Sequence, residues 1–163
     1  MVEARRSVWD LRCHLLEHGD LASALERVVE PLVPQNDTRV DVRVDGRPVR
    51  LHASIETNLL RIGQEAVANA IKHSLARNIA VELRYAPDSV RLGITDDGHG
   101  FIPDETPAGH FGLLDMRERA QCMDSWLYVE SEPGMGTSIS VEVPITCGQV
   151  RDEELKADTY SGR

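Results

Sequence analysis

Apolar residues recur at two spacings along the chain, and the spacing predicts which segments form helices and which form strands. Intervals of three and four residues indicate amphipathic helices over residues 2–18 and 21–32. A longer helix is predicted from the capping residue Ser54 to about Leu75, and a shorter one over residues 112–123. Helices therefore occur in three separate regions of the chain.

Alternation of apolar and polar side chains predicts three hairpins of two strands each. The first would reverse at Asp45-Gly46, a dipeptide typical of hairpin turns. The predicted strand pairs cover residues 38–44 with 49–51, 79–85 with 90–95, and 126–130 with 137–143. The resulting order, αα-ββ-α-ββ-α-ββ, is typical of an α+β fold.

The composition is that of a globular, acidic protein. With 163 residues, 41% of them apolar and 28% charged, the chain is expected to form one domain with flanking pieces. The net charge of -9 argues against direct nucleic-acid binding, which depends on clustered Lys and Arg. No apolar run approaches the roughly 20 residues of a membrane span, and no N-terminal segment resembles a signal peptide. We therefore expect a cytoplasmic chain without direct membrane contact.

One face of the long helix carries four polar side chains. Asn69, Lys72 and His73 follow Glu65 by four, seven and eight residues, so in a regular α-helix all four share one arc. A solvated helix face is the ordinary explanation for such a pattern. These residue types also offer a base, an oxygen ligand for a hard cation, and positive charge for phosphates.

The strand end Asp96-Asp97-Gly98-His99-Gly100 combines two carboxylates with two glycines. A hairpin turn is the common alternative, because Asp-Gly is its usual signal, but no alternating return strand follows. The spacing of a calcium-binding loop is absent. A buried, ionised Asp96 could accept the exocyclic amine of adenine, and Gly98 and Gly100 would let the backbone approach a flat base.

Two further glycine pairs are weak signals when taken alone. Gly109-His110-Phe111-Gly112 opens a predicted helix, whose free N–H groups could bind a phosphate. Gly134-Met135-Gly136-Thr137 joins two predicted strands, as Pro-Gly turns commonly do. Residues 101–111 have the composition of a mobile loop and are a candidate lid.

Four motifs follow one another along the chain: Glu65-x-x-x-Asn69-x-x-Lys72-His73, Asp96-x-Gly98-x-Gly100, Gly109-x-Phe111-Gly112-Leu113 and Gly134-x-Gly136-Thr137. In this order they resemble the successive boxes of the histidine-kinase ATP-binding domain, a member of the gyrase, Hsp90, histidine kinase and MutL superfamily. The resemblance covers roughly residues 35–145. Segments 61–66 and 112–119 are most similar to sensor kinases paired with NarL/LuxR-type response regulators.

The resemblance implies a Bergerat-type fold: a two-layer α/β sandwich with a mixed sheet of about five or six strands and helices packed on one face. It also implies binding of ATP with Mg2+ and transfer of the γ-phosphate to a histidine on an upstream dimerisation domain. A NarL/LuxR-type response regulator would be the partner of the full-length kinase.

The same resemblance implies residue roles on the phosphate side of the site. Asn69 would ligate Mg2+, and Glu65 would act as the base or orient it. Further residues near the phosphates would be Lys72, His73, Gly109, Gly112 and Leu113. Gly112 and Leu113 would contribute the amide groups of a helix start.

On the adenine side, Asp96 would bind the exocyclic amine directly and through a water molecule shared with Thr137. Gly98 and Gly100 would give the base room. Phosphoryl transfer needs mostly positioning and charge neutralisation, which suits this small set of residues.

The chain departs from the family pattern upstream of the predicted catalytic domain. His14 and His18 are the only upstream histidines, and their surroundings do not resemble a phosphoacceptor motif. Residues 1–34 are therefore expected to be a helical linker from a missing dimerisation region, residues 35–145 the catalytic domain, and residues 146–163 a polar, disordered tail. A smaller departure is Asp124-Ser125, where relatives often have paired glycines.

Two other functional classes stay open at this point. A single-domain anti-sigma-factor serine kinase would have the same fold and would bind a protein partner. A degenerate, non-catalytic interaction domain would keep the fold without using the pocket. Nucleotide binding distinguishes the degenerate domain from both kinases.

Overall fold

A computed structural model describes residues 20–33, 38–103 and 111–145 of the chain. The helix predicted over residues 2–18, the tail over 146–163 and most of the candidate lid, including Gly109, lie outside the described residues. None of the described helices is long and apolar enough to cross a membrane.

Three α-helices and five β-strands make up the described structure. The elements in chain order are α1 (Leu21–Val29), β1 (Arg39–Asp45), α2 (Ala53–Asn69), β2 (Asn78–Tyr85), β3 (Ser89–Asp96), α3 (Phe111–Gln121), β4 (Leu127–Glu132) and β5 (Gly136–Pro144). A short 3-10 turn, Glu30–Leu32, follows α1, and a π-helical turn, Ala70–Ser74, follows α2. The α+β prediction is confirmed.

The strands form one mixed sheet in the order β1-β2-β3-β5-β4. Strand β1 runs parallel to β2, and the remaining neighbours are antiparallel. The two later predicted hairpins, β2–β3 and β4–β5, are confirmed. The count of strands falls within the predicted five or six.

The first predicted hairpin is wrong. Strand β1 pairs with β2, not with a strand over residues 49–51, and residues 47–50 form no strand. Leu51 is fully buried and joins the core. Because β1 and β2 are parallel, the chain must cross over between them, and α2 occupies that crossover. Asp45-Gly46 therefore turns the chain out of the sheet.

All three helices pack against one face of the sheet and share a single apolar core with it. Alternate residues of β2 and β3, such as Val81 and Leu92, are fully buried on that face. Helix α1 contributes buried side chains such as Leu21 and Leu25 to the same core. Asp20 caps α1 by accepting a hydrogen bond from the Ser23 amide at 2.8 Å, and that bond lowers the pKa of the Asp20 carboxyl.

Helix α2 begins and ends differently from the prediction. Its N-cap is His52, whose ring Nδ1 accepts a hydrogen bond from the Ser54 amide at 3.4 Å, so Ser54 itself lies inside the helix. At the other end the α-helix stops at Asn69, and the chain continues as a π-helical turn. Leu75 then ends this turn in the left-handed conformation, with φ of 56°.

The substitution Leu75→Gly is expected to raise the free energy of unfolding by about 1 kcal/mol. Glycine adopts the left-handed region without the steric cost of a side chain, and Leu75 is 86% exposed, so little apolar burial is lost. Leu114→Gly is the matched control, because Leu114 is 53% exposed within α3 and glycine there costs about 1 kcal/mol of helix stability. Urea unfolding should show that the free energy of unfolding rises for Leu75→Gly and falls for Leu114→Gly. A fall in both variants would contradict the steric cost assigned to the left-handed Leu75.

Candidate nucleotide-binding site

The candidate adenine-binding residues lie at one end of the sheet, where β3 ends and β5 begins. Asp96 is the last residue of β3, and it stands directly opposite Thr137 of β5 in the antiparallel register. Both side chains are on the helix-covered face, with exposures of 7% for Asp96 and 9% for Thr137. Directly opposite residues on neighbouring strands have Cβ atoms about 5 Å apart. The sheet pairing therefore brings a buried carboxylate beside a buried hydroxyl.

Asp96 keeps part of its hydrogen-bonding capacity unused within the described structure. Its Oδ1 atom accepts the backbone N–H of Gly98 at 2.9 Å, and no described residue donates to Oδ2. An ionised carboxylate is acceptor-only, so Oδ2 suits a ligand that donates a hydrogen, such as an exocyclic amine. Burial strengthens the preference for a ligand that donates a hydrogen bond, because leaving a buried polar atom unpaired costs free energy.

Asp97 differs from Asp96 in its hydrogen bonds. Its Oδ1 accepts the amides of Arg77 and Asn78 at 2.8 and 2.9 Å, and its Oδ2 accepts Asn78 Nδ2 at 2.7 Å. These bonds, led by the one from the Asn78 backbone, lower the pKa of the Asp97 carboxyl. Asp97 thus ties the end of β3 to the start of β2. The sequence presents two equivalent acids, whereas in the structure both carboxylate oxygens of Asp97 accept hydrogen bonds and only one oxygen of Asp96 does.

Gly98 packs against the π-helical turn that follows α2. A Cβ atom at this position would lie 2.5 Å from Ser74 Cβ and 2.6 Å from Ser74 Oγ. The next residue, His99, donates its backbone N–H to the Ser74 carbonyl at 2.8 Å. The buried Ser74 hydroxyl in turn donates to the Ala70 carbonyl at 2.7 Å. Residues 98 and 99 are therefore held to the end of the long helix.

Ser74 contacts this loop although no sequence motif includes it. Its role depends on the π-helical turn, which places its side chain under the glycine loop. A serine near a helix end is too common to carry a signal of its own.

The glycine turn between β4 and β5 contacts the loop of residues 98–100 on the side away from Ser74. Gly134 donates its backbone N–H to the His99 carbonyl at 2.6 Å. Gly100 and Gly136 both have positive φ, 61° and 78°, and a Cβ atom at either would overlap a backbone carbonyl. The second and fourth motifs of the sequence therefore meet in space and support one another.

The candidate phosphate side lies where α3 begins against α2. A Cβ atom at Gly112 would lie 3.0 Å from Asn69 Nδ2 and would overlap Glu65 Oε1. Glu65, Asn69 and Leu113 are each partly buried. The first turn of α3 leaves backbone N–H groups without helical acceptors, which favours an anion nearby. The structure therefore brings together Glu65, Asn69 and the start of α3.

Lys72 and His73 are placed differently from Glu65 and Asn69. Both lie in the π-helical turn, where the number of residues per turn exceeds that of an α-helix. The α-helical arc that predicted all four side chains on one face therefore holds only as far as Asn69. Both side chains are exposed, and neither forms a hydrogen bond or ion pair within the described residues.

The residues present fit a magnesium ion that is held mainly by a ligand. Among the described residues, no cluster of three or more His, Cys, Asp or Glu could enclose a metal. Mg2+ commonly uses only one or two protein oxygens together with phosphates and waters. The carboxamide of Asn69 lies beside the start of α3 and could supply a single protein oxygen of this kind.

Gly98→Ala is expected to lower the free energy of unfolding by about 1–3 kcal/mol, because the added methyl group has no space beside Ser74. Gly93→Ala is the matched control, since Gly93 lies within β3 and a Cβ atom there meets nothing within 4 Å. Alanine at position 93 should be neutral or slightly stabilising. Chemical denaturation of both variants checks this difference, and equal effects would contradict the tight approach of Gly98.

Comparison with known proteins places this chain in a known family. Residues 54–146 match the family model described as histidine kinase-, DNA gyrase B- and HSP90-like ATPase. The chain is 32% identical over 146 residues to the signal transduction histidine-protein kinase/phosphatase DegS of Brevibacillus brevis, covering 90% of this chain and 38% of that protein. It is 39% identical over 129 residues to the nitrate/nitrite sensor protein NarQ of Escherichia coli, covering 77% of this chain and 22% of NarQ. The chain thus spans well under half the length of these relatives.

Solved structures share the fold. The histidine kinase domain of the Erythrobacter litoralis EL346 blue-light activated kinase superposes with a TM-score of 0.63 at 23% identity, covering 77% of this chain and 61% of that one. The mycobacterial sensor histidine kinase MprB gives a TM-score of 0.61 at 22% identity, covering 77% of this chain and 95% of that one. The family match and the fold together lead to one conclusion: this chain belongs to the histidine kinase-, DNA gyrase B- and HSP90-like ATPases, and it carries the ATP-binding domain found in sensor histidine kinases.

Proposed function

We propose that this domain binds Mg-ATP and positions its γ-phosphate for transfer to a histidine on a separate dimerisation domain of a two-component sensor kinase. The observation that carries the nucleotide assignment is the buried Asp96, whose Oδ2 is free among the described residues and whose cross-strand neighbour is Thr137. This pair suits the exocyclic amine of adenine. The loop from Gly98 to Gly100 would lie beside the base.

The phosphates would lie toward the start of α3. Gly112 and Leu113 would donate backbone N–H groups to them, and Gly109 would belong to the same phosphate-binding segment. Asn69 would hold Mg2+, which when bound neutralises phosphate charge. Lys72 and His73 would lie near the phosphates, on the neighbouring π-helical turn, and their exposure leaves them free to turn toward a ligand.

Transfer would break the bond between the γ-phosphorus and the oxygen of ADP and form a phosphorus–nitrogen bond to the acceptor imidazole. The imidazole gives up its proton during this transfer. Glu65, beside Asn69 and the first turn of α3, would accept that proton or orient the group that does. Positioning and charge neutralisation account for most of the catalysis in such reactions.

The wider setting of the domain is part of the same proposal. The chain would act with an upstream dimerisation and phosphoacceptor domain, and the full-length kinase would act on a NarL/LuxR-type response regulator. Similarity to NarQ supports that choice of partner. Residues 1–34 would be the linker, 35–145 the catalytic domain and 146–163 a tail, all in the cytoplasm. Direct nucleic-acid or membrane contact forms no part of the proposal.

Asp96→Asn is expected to weaken binding of a fluorescent ATP analogue by about 10- to 100-fold, since hydrogen bonds to a charged group contribute about 1.5–3 kcal/mol. The carboxamide would turn an N–H group toward the adenine amine, which also donates. Asp97→Asn is the control, because Asp97 is exposed and engaged by Arg77 and Asn78. Fluorescence titration should show near-normal affinity for the control, and unchanged affinity in Asp96→Asn would overturn the adenine assignment.

Labelled ATP with Mg2+ should leave the isolated chain unlabelled and should label a histidine of an added dimerisation domain from a related sensor kinase. Glu65→Gln should bind the nucleotide but lose most of this transfer, because the base is removed while Asn69 stays in place. The label should be acid-labile, as expected for phosphohistidine. Strong self-labelling of the isolated chain, or acid-stable label on a serine of a protein partner, would contradict the histidine-kinase assignment.

A further inference from the structure

A hydroxyl group outside the four motifs connects the candidate adenine pocket to the chain beyond Gly100. Ser131, partly buried on β4, lies between three neighbours. Its Oγ accepts the backbone N–H of Phe101 at 2.9 Å, reaches the Gly136 carbonyl at 3.1 Å, and lies 2.9 Å from Thr137 Oγ1. Register places Ser131 directly opposite Thr137, just as β3 places Asp96 opposite Thr137 on its other side.

The number of donor hydrogens around Ser131 Oγ determines the direction of each hydrogen bond. An amide N–H can only donate and a carbonyl oxygen can only accept, whereas each hydroxyl has a single hydrogen to give. For all three contacts to form at once, Ser131 must donate to the Gly136 carbonyl and accept from Phe101. The Thr137 hydroxyl must then donate to Ser131 Oγ.

This direction determines what Thr137 can offer to a ligand. Once its only hydrogen is directed to Ser131, Thr137 Oγ1 presents lone pairs to the pocket and can only accept there. Asp96 Oδ2, on the neighbouring strand, is also an acceptor. Two adjacent acceptors suit an exocyclic amine, either directly or through a water that donates to both. They oppose a carbonyl oxygen, such as the one guanine carries in place of the amine of adenine.

We propose that Ser131 is a positioning residue that holds the Thr137 hydroxyl as an acceptor and thereby sharpens selection of adenine over guanine nucleotides. This inference rests on the proposed nucleotide function. Without the Ser131 hydroxyl, the Thr137 side chain can rotate its hydrogen toward the pocket and donate to a carbonyl oxygen. The same loss also removes the acceptor of the Phe101 amide. Ser131 therefore joins base recognition to the first residue after Gly100.

The test measures ADP and GDP affinities by competition against a fluorescent nucleotide, using the full 163-residue chain. Ser131→Ala should reduce the ratio of ADP to GDP affinity by about 2- to 10-fold, the effect of about one neutral hydrogen bond. Amide hydrogen exchange without nucleotide should show faster exchange at Phe101. Ser131→Thr and Ser131→Val form a matched pair that differ by the hydroxyl, and only the threonine variant should restore both the ratio and the protection.

Ser138→Ala is the control, because Ser138 is adjacent to Thr137 on β5 but its hydroxyl pairs with Thr95 Oγ1 at 3.3 Å. It should leave the affinity ratio unchanged. If the unmutated chain binds ADP but Ser131→Ala or Ser131→Val keeps the normal ratio of ADP to GDP affinity, the role of Ser131 is wrong while the proposed nucleotide binding stands. An unmutated chain that binds neither nucleotide would overturn the proposed function and this inference with it.

Discussion

The antiparallel pairing of β3 with β5 at the centre of the sheet is the constraint on which the candidate site depends. This pairing sets Asp96 opposite Thr137, and a shift of register by one residue would turn one of these side chains to the solvent face. The next pairing, β5 with β4, adds Ser131 to the same row. Three polar side chains from distant parts of the sequence thus become neighbours because backbone hydrogen bonds fix the register of the strands that carry them.

The end of the long helix supplies the second support of the site. The π-helical turn after α2 ends in the left-handed Leu75, and its Ser74 meets Gly98 while Asn69 meets the start of α3. Regions of π-helix often occur at functional sites, although their geometry is less favourable than that of an α-helix. Here the turn redirects the chain from Glu65 and Asn69 toward β2.

Sequence periodicity predicted most elements because burial on one face leaves a regular trace. The hairpins β2–β3 and β4–β5 and the existence of all three described helices followed from that trace. The first hairpin failed for a physical reason. Asp45-Gly46 specifies a change of direction, and only packing decides whether the chain returns to the same strand or leaves for a crossover helix. Asp124 adopts the left-handed conformation, with φ of 52°, which Asp tolerates better than most residues that carry a side chain, so this turn forms without the glycines that the family resemblance leads one to expect.

By itself, the sequence determined the chemistry of this protein: the carboxylate, carboxamide and glycine motifs, their order, and the family whose ATP-binding domain they resemble. These features are local, since residue type and short spacing are enough to express them. The tertiary structure decided the position and contacts of each residue. It separated Asp96 from Asp97, moved Lys72 and His73 off the regular helical arc, and placed Ser74 and Ser131 beside the motifs. These positions depend on strand register, a π-helical turn and close backbone contacts between segments far apart in the chain. Local sequence patterns therefore do not predict them.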